Sequence, residues 1–436
     1  MKAVSVDLIL TDNIALSSNA KMGKNGSLFF VDIFYCRRFI LTVRGESMEQ
    51  LIWKDRKKLP DFPAAEGEYK TDVLIIGGGI CGILCAYFLS WAGVDYMLAE
   101  AGKIGQGISG LSSGMITVQH GLIYDKMLKE LGREKAQLYY RANQQALERY
   151  ISLCRNLDCG FEQKTGYVYS RTDRSAIEKE VRAVRILGGT AEFSERHSLP
   201  FGIAGAVKTL GQVQLDPERL IGCLAPGLNI YEHTRIEKIE KGQAFFKKGK
   251  ITAEKVIAAV HAPEFTGWAG RMKLYRRQVD SVVLDSCAPM DGIYCDAARA
   301  GLAMRNCGSG ILVSGNGRGG KTQFLSAVSE CWPQAKVLQY WSGQEYMSFD
   351  GIPCVGPCRG RHGKLYVAYG WNRWGMTNAM AAAMLLRDLV LERENEYADL
   401  YLPQRSIGKR QLVVHGWSAL SHWFLPGSKN HFQKKH

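Results

Sequence analysis

The sequence predicts an α/β protein with one domain on a parallel central sheet and a second, α+β domain on a mixed or antiparallel sheet. Three observations carry this. The chain has 436 residues, more than one ordinary core organises, so two domains are expected. Residues 68–101 read as a strand, a glycine turn, a helix and a second strand, which is a βαβ unit. Helix-rich and β-rich stretches then alternate to the end, so the two domains interleave along the chain.

Val73–Ile76 is a short, wholly apolar run, as expected of a strand buried on both faces. Gly77 to Gly82 make the turn, and Ile80–Trp91 is a helix stopped by Gly93. Val94–Ala99 is the next strand, with Glu100 at its end. Asp125–Leu157 is helical by composition, broken at Gly132. Phe161–Ser170 and 188–193 are strand material around a helix at 173–187. Residues 228–260 give short strands and a hairpin at "FFKKGK", and 278–315 gives further β-like stretches. Residues 364–370 form a strand, followed by an apolar, Ala-rich helix over Met376–Leu391.

Gly77-Gly78-Gly79-Ile80-Cys81-Gly82 fits G-x-G-x-x-G: a tight turn, a close approach of backbone to a pyrophosphate, and close packing of helix on strand. The helix N-terminus receives the phosphate charge. Glu100, 18 residues after Gly82, is placed to accept hydrogen bonds from ribose hydroxyls. The loop follows an apolar strand, opens a helix and has its acidic residue, so the domain is Rossmann-like. The loop alone does not separate NAD from FAD. The stretch "AGKIGQGISGLSSGMITVQHGL" (101–122) favours FAD: a long Gly/Ser-rich segment without its own secondary structure suits a ribityl chain and ring that must be covered by backbone.

Hydrophobic residues make up 46% and charged residues 22%, the balance of a soluble globular protein. Twelve cysteines form no C-x-x-C pair, and several lie in apolar runs, as Cys81 and Cys85 do. Free thiols in a cytoplasmic protein, and no metal site, are the expectation. The net charge of +14 raises nucleic-acid binding. Residues 405–436, however, carry six Lys/Arg and no Asp/Glu, so the charge gathers in a basic tail and the body shows no basic stripe. The apolar stretch 27–43 is cut by Asp32, Arg37 and Arg38, and reads neither as a membrane span nor as a signal peptide. Residues 1–47 read as an extension, non-native or disordered, with Met48 as a plausible start.

The loop, Glu100 and "GISGLSSGMITVQHGLIYDKML" together resemble the FAD-dependent oxidoreductases of the D-amino-acid oxidase/glycine oxidase type. Residues 116–150, 341–357 and 374–390 resemble a bacterial subgroup of it; the likeness spans about 48–407. The resemblance implies FAD-binding parts at about 68–160, 205–265 and 345–400, substrate-domain parts at about 161–204 and 266–344, and a basic tail at 408–436. It implies that Gly77, Gly79, Ile80, Cys81 and Gly82 hold the FAD diphosphate, and Glu100 and Ala101 the adenosine ribose. Ser109, Ser112, Ser113, Gly114, Met115 and Ile116 would run beside the ribityl chain and flavin. Thr234, Arg235 and Ile236 would meet the adenine, and Gly375, Met376 and Thr377 the pyrimidine end of the ring, where a helix N-terminus favours the anionic reduced form. Many members continue into a Rieske [2Fe–2S] domain, but no cysteine follows Cys358, so its ligand pairs are not expected here. Residues 314–324 are shorter than the family's glycine-rich hairpin and lack its histidine.

The implied reaction is oxidation of a C–N bond of a small amine or amino acid by hydride transfer to flavin N5. No general base is assigned, and the electron acceptor is left open among oxygen, a quinone and a protein. A substrate carboxylate would need an arginine, with Arg277 and Arg373 as candidates. Against this, Arg277 sits in a basic cluster that suits a solvated edge, and Arg373 suits a surface turn. Trp371 and Trp374 either pack under their loop or wall the pocket. His120, with Gln119, either meets the flavin or is a buried histidine bonded to backbone; His261 reads as structural. The alternatives from other classes are a tRNA-modifying or RNA-binding flavoprotein and a flavin-binding protein without catalysis.

Overall fold

The computed structural model describes residues 59–261, 265, 273–285, 287–298, 301–316, 320–358 and 364–405. The expected extension at 1–47, the basic tail at 408–436 and part of the stretch 314–324 lie outside them.

Chain order runs β1 (Gly67–Ile76), α1 (Ile80–Trp91), β2 (Tyr96–Ala99), β3 (Met115–Ile116), α2 (Tyr124–Cys154), β4 (Glu162–Ser170), α3 (Arg174–Ile186), β5 (Glu192–Ser194), β6 (Gly205–Gln214), α4 (Pro217–Leu224), β7 (Ile230–Tyr231), β8 (Ile236–Glu240), β9 (Gln243–Phe246) and β10 (Gly249–Ala258). It continues with β11 (Leu274–Asp285), β12 (Gly292–Asp296), β13 (Ala303–Cys307), β14 (Gly310–Asn316), α5 (Gly320–Cys331), β15 (Lys336–Ser348), β16 (Cys354–Pro357), β17 (Leu365–Tyr369), α6 (Gly375–Val390) and α7 (Ala398–Tyr401).

The apolar end of β1 is buried at all four of its last positions because it runs through the middle of a sheet. That sheet has the order β16-β17-β10-β1-β2-β7, with β8 and β9 paired beside β10. β17, β10, β1, β2 and β7 are parallel, and β16 is an antiparallel edge. β1 leads through α1 to β2 on one side, while β10 on its other side arrives only much later in the chain. Such a reversal opens a crevice at the carboxyl ends of the strands. α1 and α6 pack together over this sheet, and Ile83, Leu84, Met380 and Leu386 are buried in one core with α2. α2 is broken at Gly132, whose φ of 81° and ψ of 168° are not helical, as expected from the sequence.

The second sheet has the order β15-β11-β14-β13-β12-β4-β6-β3, with β5 on β6. It is antiparallel except where β12 runs parallel to β4. The two sheets are the parallel and mixed pair read from the sequence. Gly205–Gln214, expected among the FAD-binding parts, is a strand of the second sheet, paired with β4 and β5. β3, at Met115–Ile116, also joins that sheet, through β6. Pairing, not propensity, decides this, and pairing partners lie far away in sequence. The helix Gly320–Cys331 and the long strand Lys336–Ser348 had no counterpart in the sequence reading.

Candidate functional site

Gly77 leaves β1 with φ 107°, and a Cβ there would lie 2.6 Å from Ala259 O. A Cβ at Gly82 would lie 1.9 Å from Gly77 O, so only glycine lets α1 start this close to the strand. α1 opens on Gly79 with no side-chain cap of its own. Ser109 Oγ, from 29 residues on, accepts the Ile80 N–H at 2.9 Å. Glu100 is fixed at the end of β2: its Oε2 accepts from Gly78 N–H at 2.6 Å and its Oε1 from Gly102 N–H at 2.7 Å.

From this helix start a cavity of about 370 Å³ runs toward the turn before α6. Its cofactor-side lining includes Gly77, Gly79, Ile80, Cys81, Glu100 and Ala101. Thr234, Arg235 and Ile236 also line it, as do Ser109, Ser112, Ser113 and Met115. Trp371, Arg373, Trp374, Gly375 and Met376 border the same space. Residues nearly three hundred positions apart thus border one space.

Four of the proposed cofactor residues stand behind the lining. Gly82 shapes the turn as described. Gly114, at φ 67°, lets its strand approach Leu215, whose N–H donates to Gly114 O at 3.0 Å; a Cβ there would meet Leu215 O at 2.0 Å. Ile116 is buried in β3. Thr377 is fully buried, and its hydroxyl bonds Thr117 rather than facing the cavity.

His120 also lies outside the cavity lining, buried and bonded to backbone, the second of the two readings given above. Its Nε2–H donates to Thr117 O at 2.8 Å, and its Nδ1 accepts from Tyr139 OH at 2.9 Å. Burial lowers its pKa to about 3, so the ring is neutral. It stacks on Trp374, with centroids 4.9 Å apart, and holds that indole from behind. Gln119 is likewise structural, donating to Gly121 O and Glu180 Oε1.

The floor of the cavity comes from the second sheet. Val279 and Ser281 of β11, Cys295 of β12, Ala303 of β13 and Ser314 of β14 line it, with Trp341, Gly343 and Glu345 of β15. Ser281 pairs with both Ser314 and Trp341, and its hydroxyl meets that of Ser314 at 2.9 Å. Arg277 is not in the lining; it lies opposite Glu345 in the β11–β15 register. Arg305, buried, donates from Nε to Ser113 O at 2.5 Å and from Nη2 to Leu215 O at 3.0 Å, tying this sheet to the Gly/Ser segment. His261 borders the cavity and joins Gln344 O through Nε2 at 2.5 Å, a link between the two sheets. Trp341, Gly343 and Glu345 lie in the stretch 341–357 that carries part of the family resemblance; the other floor residues sit in no local motif, and strand register brings them together.

A profile described as FAD dependent oxidoreductase, DAO, matches residues 72–389. The chain belongs to the DAO family of FAD dependent oxidoreductases. It is 30% identical over 382 residues to the "Putative Rieske 2Fe-2S iron-sulfur protein YhfW" of Bacillus subtilis strain 168, covering 81% of this chain and 75% of that protein. Its fold matches the crystal structure of glycine oxidase from Geobacillus kaustophilus with a TM-score of 0.65 at 21% identity, over 78% of this chain and all of that one. It matches FAD-bound L-alpha-glycerophosphate oxidase from Mycoplasma pneumoniae with a TM-score of 0.59 at 15% identity, over 78% and 99% of the two chains. The cofactor of this DAO-family chain is FAD. The cradle described above fits it, since a Cβ at Gly77 or Gly82 would close the glycine turn at which a diphosphate would sit. Among the described residues no helix is long and apolar enough to cross a membrane.

Proposed function

We propose that this flavoenzyme oxidises a C–N bond of a small amine or amino acid. The observation that carries the reading is the single cavity that joins the α1 N-terminus to the turn before α6 over the floor of the second sheet. In it Gly77, Gly79, Ile80 and Cys81 would hold the FAD diphosphate at the helix N-terminus. Glu100 and Ala101 would hold the adenosine ribose, and Arg235 and Ile236 the adenine. Ser109, Ser112, Ser113 and Met115 would flank the ribityl chain and ring, and Gly375 and Met376 its pyrimidine end. Bound FAD supplies a two-electron acceptor for hydride from the carbon that carries nitrogen.

The chain's own residues orient and enclose. Trp371 and Trp374 present rings to the cavity, and His120 keeps Trp374 in place from behind. Arg373 is held in the turn with φ 74°, next to Asn372 at φ 54°, and its guanidinium lies near Cys295, Asp296 and Glu345. Asn372 anchors that turn, accepting Ser348 N–H at 2.9 Å and donating to Gly370 O at 2.8 Å. A non-glycine pair in the left-handed region, held this firmly, suits a residue presented to a ligand better than a solvated turn.

On this reading residues from the first sheet form the FAD-binding part, those of the second the substrate part, and the protein works in the cytoplasm. The test is anaerobic mixing of the holoprotein with a panel of amines and amino acids, followed at the visible flavin bands. Bleaching by a member of the panel supports the reading, and recovery on admitting air identifies oxygen as an acceptor. A flavin that no amine bleaches, yet dithionite reduces, refutes it.

A further inference from the structure

Trp374 is the cavity-side end of a row of aromatic rings. Its indole lines the cavity and stacks on His120, with centroids 4.9 Å apart. His120 meets Tyr139 edge to face at 5.8 Å, so one ring separates the indole from that phenol. Tyr139 lies 6.4 Å from Tyr124, and Tyr124 lies 5.4 Å from Tyr140. His120, Tyr139 and Tyr124 are buried. Tyr140 is only half-buried and lines a second cavity, of about 210 Å³, whose lining shares no residue with the first.

The row exists because α2 is broken. In a straight helix Tyr124 and Tyr139 would stand about 22 Å apart along the axis. The break at Gly132, with φ 81°, brings the first turn of α2 back against the rings of its second piece. The hydrogen bonds then set the rings apart chemically. Tryptophan and tyrosine give up one electron more readily than other side chains, but a tyrosine that does so must also shed its phenolic proton. The Nε2–H of His120 is committed to Thr117 O, which leaves the Nδ1 lone pair to accept from Tyr139 OH at 2.9 Å. Burial keeps that ring neutral, so a base already faces the phenol. Tyr124 OH donates to Val118 O at 2.6 Å, a carbonyl that cannot take the proton, so this ring bridges and does not hold the charge.

We propose that Trp374, His120, Tyr139, Tyr124 and Tyr140 form a one-electron path between the FAD cavity and the protein surface, with Tyr139 as its station. Trp374 gives one electron to FAD excited by blue light. Tyr139 refills Trp374 across His120, and its phenolic proton passes to His120 Nδ1. Tyr140 refills Tyr139 through the Tyr124 ring; His120 returns its proton, and Tyr140 releases its own to water. Ascorbate, as an external donor, supplies the electron and proton that restore Tyr140. Each cycle carries one electron from ascorbate to FAD and leaves one proton in the solvent. The path does not depend on which substrate the enzyme oxidises.

The test uses the full-length holoprotein with bound FAD, made with ring-deuterated tyrosine. It is illuminated with blue light without substrate, frozen, and examined by electron paramagnetic resonance. The expected signal is a tyrosyl radical, recognised by its narrowing on deuteration, and ascorbate shortens its life. Tyr139→Phe keeps the ring and loses the signal with FAD content unchanged. Tyr140→Phe, at a half-buried position, keeps the radical and makes it insensitive to ascorbate. No tyrosyl radical in the unaltered protein, a signal that survives in Tyr139→Phe, or a radical that ascorbate removes equally fast in Tyr140→Phe overturns the path.

Discussion

Thr377 and Thr117 are bonded twice, although 260 residues separate them. The Thr377 hydroxyl accepts the Thr117 N–H at 3.2 Å and donates to the Thr117 carbonyl at 3.0 Å. The first turn of α6 is thereby stapled to the end of the Gly/Ser segment, so two distant segments that border the cavity hold one another in place.

Thr377→Val keeps the shape and removes both bonds, leaving the buried Thr117 N–H unpaired, while the Thr117 carbonyl keeps its bond from His120. The expected cost is about 2 kcal/mol in urea unfolding, together with faster loss of FAD on dialysis. Thr377→Ser keeps the hydroxyl and is expected to lose less.

Gly82→Ala places a methyl 1.9 Å from the Gly77 carbonyl, a backbone atom that cannot turn aside. The purified variant is expected to be colourless or insoluble. Gly93→Ala is the control: its φ is 70° and open space surrounds it, so only the strain of about 1 kcal/mol is expected, with the yellow colour retained.

Arg305→Met leaves the carbonyls of Ser113 and Leu215 without their buried donor. A loss of about 2 kcal/mol in stability is expected. Flavin fluorescence should rise as the loosened segment exposes the ring, an effect that a stability defect elsewhere would not share.

His120 is neutral in the fold because burial lowers its pKa from 6.5 to about 3. Unfolded, it binds a proton below about 6.5. Stability is therefore complete above that pH and falls as pH drops from about 6.5 toward 3, at up to roughly 1.4 kcal/mol per pH unit from this group. Thermal unfolding measured from pH 7 to 4 should show the decline. His120→Gln, less stable at pH 7, should decline less steeply over the same range.

Contiguous residues made the first half of the site legible. The order apolar strand, glycine turn, apolar helix, acidic residue is written within residues 73–100, and each step has a local steric or hydrogen-bonding cause. The helix Ile80–Trp91 and the break at Gly132 were readable for the same reason. Residues 369–377 could be seen as a strand end and a helix start, but not what they point at.

The tertiary structure alone decided the floor. Ser281, Ser314, Trp341 and Glu345 come from three strands, and each strand's alternation only says that every second residue shares a face. Which face meets the cavity depends on register, and a shift of one residue would turn Arg276 or Gln344 inward instead. It also decided that His120 and Thr377 brace the site from behind, because burial and partner geometry are set by packing between distant segments. The sequence by itself determined the strand, glycine turn and helix of a Rossmann-like domain and the family it resembles. Only the fold determined which residues of the second sheet line the same cavity.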